Sequence, residues 1–80
     1  MLETSHLLGE RSEYRKKESR LRTEVEALRD RLRVQLPPHV EAHELDGEAI
    51  IDTAAALGVS LSELKGVRKK LDVLNRKLGE

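Results

Sequence analysis

Eighty residues carry fifteen Lys and Arg, fifteen Asp and Glu, and so a formal net charge of zero; there is no cysteine, no Trp, no Phe and a single Tyr. That length allows one small domain, and the missing cysteines exclude disulfides and thiolate metal sites. With Tyr14 the only aromatic residue, the core has to come from Leu, Val, Ile and Ala, which suits helices packed on helices.

The charge is unevenly spread. Residues 1–36 hold nine bases against seven acids, residues 37–58 five acids and no base, and residues 59–80 six bases against three acids. An acidic middle between two basic segments favours contact within the chain, and equally with something anionic. The opening MLETSHLLGERSEYRKK has no apolar run long enough for a signal peptide or a membrane span. The expected location is therefore the cytoplasm, with no membrane contact.

Residues 5–36 read as one long amphipathic helix. Tyr14, Leu21, Val25, Leu28 and Leu32 recur at heptad spacing, which predicts an interaction seam of coiled-coil type. Arg11 and Glu18 interrupt the seam toward the N-terminus, so its second half is expected to pack better than its first. From residue 15 onward the flanking positions are Arg15, Lys17, Arg22, Glu24, Arg29 and Arg31. Five of these six are basic, so pairing this helix with a copy of itself would set like charges face to face.

Pro37 and Pro38 end the helix, because a residue before proline is pushed out of helical geometry. Residues 37–46 form a connector, with Val40 and Leu45 as candidates for tucking into the core. His39 and His43 are four apart, but with Pro37 and Pro38 beside them they read as solvated loop residues, and no metal or other cofactor is expected.

A short second helix is predicted over 47–57, with Asp46 as N-cap and Gly58 as its terminating residue. A third is predicted over 60–78, opened by a Ser60–Glu63 capping box and a Val59–Leu64 staple, with Leu64, Val67, Leu71, Leu74 and Leu78 along one face. Gly66 costs about 1 kcal/mol in mid-helix relative to Ala. The fold class is thus all-α, with a tight glycine turn joining the last two helices in a three-helix bundle or a hairpin-like arrangement. At ~1.5 Å per residue the first helix is ~45–50 Å long, and the other two would match it only if laid end to end.

Residues 50–69, IIDTAAALGVSLSELKGVRK, resemble the helix-turn-helix motif of bacterial DNA-binding proteins. Ala54 stands at the small crossing position, Gly58 at the turn, and Leu57, Val59, Leu64 and Val67 at buried positions. The resemblance implies that the following helix lies in the major groove, with Ser60, Leu61, Ser62, Lys65, Gly66 and Lys69 toward the bases. Arg68 and Lys70 would join Lys65 and Lys69 on phosphates.

No nucleophile–base pairing, phosphate loop or dinucleotide fingerprint is present, so neither an enzyme nor a small-molecule substrate is expected. Two functional readings follow. One is a helical interaction module that self-associates, most simply as a dimer, or docks on a partner protein helix through the Tyr14–Leu32 seam. The other is a small helix-turn-helix DNA-binding regulator or accessory protein that uses the 60–70 helix on duplex DNA.

Overall fold

A computed structural model describes residues 2–79 of the chain. Helix α1 spans Leu2–Gln35, a single 3-10 turn covers Ala42–Glu44, and helix α2 spans Gly47–Lys77. The described residues contain no strand. The chain is all-helical, and its two long helices lie side by side.

The cross-helix contacts fix their direction. Arg11 meets Asn75, Glu18 meets Arg68, and Leu21 clusters with Val67 and Leu71. Partners rise in number on one helix as they fall on the other, so the pair is an antiparallel hairpin. It measures 62 × 18 × 15 Å with a radius of gyration of 18.0 Å, against the ~12 Å of a compact globule of this length.

The predicted corner at Gly58 is not there. Residues 47–57 and 60–78, expected as two helices, belong to the one helix α2, so the fold is a two-helix hairpin rather than a three-helix bundle. The seam explains why. Ile50, Thr53, Leu57, Ser60, Leu64, Val67, Leu71, Leu74 and Leu78 follow one another at alternating steps of three and four, straight through Gly58. Opposite them α1 offers Leu7, Arg11, Tyr14, Glu18, Leu21, Val25, Leu28, Leu32 and Gln35 at the same steps, all at least half-buried. Keeping Gly58 helical costs about 1 kcal/mol. Breaking the helix would strip cover from several Leu and Val side chains, each worth about 1.5–3 kcal/mol when fully buried. The seam wins.

Two expected signals inside α2 consequently do other work. Ser60 is not a cap but a buried seam residue, 5% exposed, and Val59 is not a staple but points outward. The terminating glycine is Gly79, which has the positive φ of 81° and donates its N–H to Arg76 O at 3.1 Å.

Other local signals match. Asp46 caps α2, its Oδ1 accepting from Ala49 N–H at 3.1 Å. Helix α1 stops at Gln35, just before Leu36 and the two prolines. At the other end it begins at Leu2 rather than Ser5, and Gly9 does not interrupt it. Val40 and Leu45 of the connector are half-buried.

Candidate interaction surfaces

The expected interaction seam is occupied from within the chain. Leu21 is 1% exposed and packs on Val67 and Leu71, with Tyr14 and Leu64 against the same cluster; Leu74 is equally buried. Val25, Leu28 and Leu32 are half-buried along the line toward the connector. The surface that sequence reasoning offered to a partner is thus mostly taken up by α2.

The polar residues interrupting α1 have partners across the hairpin. Arg11 donates from Nη1 to Asn75 Oδ1 at 3.4 Å. Glu18 receives two arginines, Arg22 at 3.5 Å on Oε1 and Arg68 at 3.6 Å on Oε2. Part of the basic flank is therefore neutralised by Glu18, a residue in the seam itself. The two contacts also set the register. Continuing it seven residues at a time toward the connector brings Val25 to the Ser60–Leu61 step and Leu32 to the Thr53–Ala54 step, where Ser60 and Thr53 are the buried residues. Polar residues thus enter the seam at both ends, and the most buried apolar residues, Leu21, Val67, Leu71 and Leu74, lie in the half nearer the open end, so the second half of α1 is not the better packed one.

The candidate nucleic-acid contacts separate into two groups. Ser60 is buried against α1 and cannot reach a ligand outside the hairpin. Ser62, Lys65, Lys69 and Lys70 are exposed, as is Arg68, although Arg68 is tied to Glu18. Leu61 and Gly66, also carried over by the resemblance, are exposed too. All lie on one unbroken helix, with no turn between Leu57 and Ser60.

Comparison with known proteins returns no matching family model, no similar curated protein and no similar solved structure. Arguments about function therefore rest on this chain's own surfaces. The hollows on those surfaces are open grooves, such as the one bounded by Glu13, Tyr14, Lys17 and Arg20 on α1. His39 and His43 are exposed in the connector region, and no group of three or more potential metal ligands occurs among the described residues. No helix among those residues is long and apolar enough to cross a membrane.

What the sequence reading missed is the outer face of α2, turned away from α1. Ile51 is 67% exposed and Val59 62% exposed, with Ala55 and Gly58 between them. Glu48 and Asp52 flank this patch on one side, and Lys65 and Lys69 on the other. The signal was present as apolar residues lying outside the seam spacing, but the supposed corner at Gly58 split them between two helices.

Proposed function

We propose that the chain is a helical interaction module that self-associates or docks on a partner protein. The observation carrying this reading is that Ile51 and Val59 remain mostly exposed although the seam of α2 is already covered. Contiguous exposed apolar surface framed by charge marks a docking face. The proposal includes an intramolecular coiled coil, since both helices repeat at alternating three and four. In this reading α1 keeps the hairpin closed and α2 meets the partner. No catalysis, cofactor or small-molecule substrate belongs to it, and the cytoplasm is the location that goes with it.

Sedimentation of the chain across the micromolar range tests the self-associating form. The expected result is a mass above that of one chain, reduced to one chain by the double variant Ile51→Glu, Val59→Glu with helicity unchanged. A strict monomer at high micromolar concentration counts against self-association.

The DNA-binding alternative draws on a different observation, the exposed basic row Lys65, Lys69 and Lys70 with Arg68 beside it. Phosphate contacts need only such a row, whereas base reading by a helix-turn-helix needs the turn that α2 runs through. Retardation of duplex DNA at low salt, falling steeply as salt rises, is the result that favours it. Unchanged mobility even at low salt removes it.

A further inference from the structure

The outer face of α2 is self-complementary about the point between Gly58 and Val59. Asp52 and Lys65 lie equally far on either side of that point, as do Glu48 and Lys69, and Ala55 and Ser62. We propose that two copies of this chain pair through the outer faces of α2, antiparallel, with a two-fold axis passing between Gly58 and Val59. This rests on the reading as an interaction module and adds the partner, the face and the register.

Charge selects a second copy as the occupant. Glu48 and Asp52 are four residues apart on one helix face, and so are Lys65 and Lys69, so each pair is like-charged and unfavourable within the helix. None of the four makes an ion pair among the described residues. The two-fold sets the acidic pair of each copy level with the basic pair of the other. A parallel arrangement would instead stack acid on acid and base on base. The outer face thus specifies direction as well as partner.

Shape agrees with charge. A side chain built at Gly58 or Gly66 meets nothing within 4 Å, so neither glycine makes room for a neighbour inside the hairpin. Both still weaken α2 as a helix. In the pair, Gly58 sits at the axis, where a missing side chain lets two backbones approach. Gly66 lies level with Ile51 of the second copy and leaves space for it. Val59 is covered at the centre. The overlap from Glu48 to Lys69 is ~32 Å long at ~1.5 Å per residue, and the interface closes on itself, so assembly stops at two copies.

The experiment uses the absence of native cysteine. Ala55→Cys and Ser62→Cys are exposed substitutions that leave the seam untouched. Mixed under mild oxidation they are expected to yield a disulfide-linked dimer, and neither variant alone should. Residue 55 of one copy lies ~10 Å along the helix from residue 55 of the other, beyond the ~4.4–6.8 Å Cα separation of a disulfide. Efficient linking by either variant alone, or none by the mixture, overturns the register. In parallel, Asp52→Lys and Lys65→Asp should each weaken association about tenfold by sedimentation, and the double variant should recover it. Failure of the double variant to recover, with helicity intact, overturns the charge pairing. A monomeric wild type overturns the inference and leaves only docking on a different protein. A dimer linked in another register overturns the inference but not self-association.

Discussion

Glu18 Oε2 lies 3.6 Å from Arg68 Nε across the hairpin, while its Oε1 holds Arg22 of its own helix. A carboxylate in an otherwise apolar line thereby joins α1 to α2. Replacing Glu18 with Ala leaves two guanidinium groups on one side of the hairpin without their anion. Since both arginines are well exposed, the expected loss is only about 0.5–1 kcal/mol. Denaturant melts at low and at molar salt check it, because screening should shrink the difference.

Leu21 is the residue whose loss should hurt most. It is 1% exposed at the centre of the cluster with Val67 and Leu71. Leu21→Ala is expected to cost about 2–4 kcal/mol, a large share of the stability of a domain this small. Val34, 78% exposed on the same helix, provides the contrast, since Val34→Ala should change stability by less than about 0.5 kcal/mol. Thermal unfolding followed by helicity separates the two.

Gly58→Ala distinguishes a helix from a corner. Beyond the backbone of its own helical turn and its chain neighbours, nothing lies within 4 Å of the added methyl, and Gly58 has no positive φ. The substitution should therefore stabilise the hairpin by up to about 1 kcal/mol. Were Gly58 a left-handed turn residue, the same change would destabilise it. If two copies meet at Gly58 as inferred above, the methyl should weaken association while raising the melting temperature. Combined melting and sedimentation data show both effects.

Gln35 continues the seam at its connector end, yet its Oε1 is buried with no hydrogen-bond partner among the described residues. Exchanging an unsatisfied buried carbonyl for an apolar group removes its desolvation cost. Gln35→Leu is expected to stabilise the chain by about 1 kcal/mol. A lowered denaturant midpoint would show that the amide has a partner after all.

Asp46 accepts the Ala49 N–H at the start of α2. Asp46→Ala should cost about 1 kcal/mol, and Asp46→Asn much less. Helicity melts of the two variants measure the difference.

Much of this architecture was legible in the residues. The α1 seam, the proline stop and the Asp46 cap depend on spacing and local geometry, which a sequence displays directly. Gly58 was misread because its neighbours, Val59, Ser60 and Glu63, form a plausible helix start when taken locally. The opposing pattern was longer in range, namely an unbroken three-and-four spacing from Ile50 to Leu78 that matches α1 layer for layer. Ser60 went with it, counted as an exposed contact when it is a small residue lodged between two helices. The outer face of α2 was illegible until both halves were known to share one axis, because only then do Ile51 and Val59 lie on the same side.

A fold one side chain deep gives each layer only the layers before and after it to lean on. Such a rod should come apart like a zipper rather than all at once, starting where Arg11 and Asn75 close it. Amide exchange would trace this as a gradient, fastest near Leu7 and Leu78 and slowest around Leu21, Val67 and Leu71.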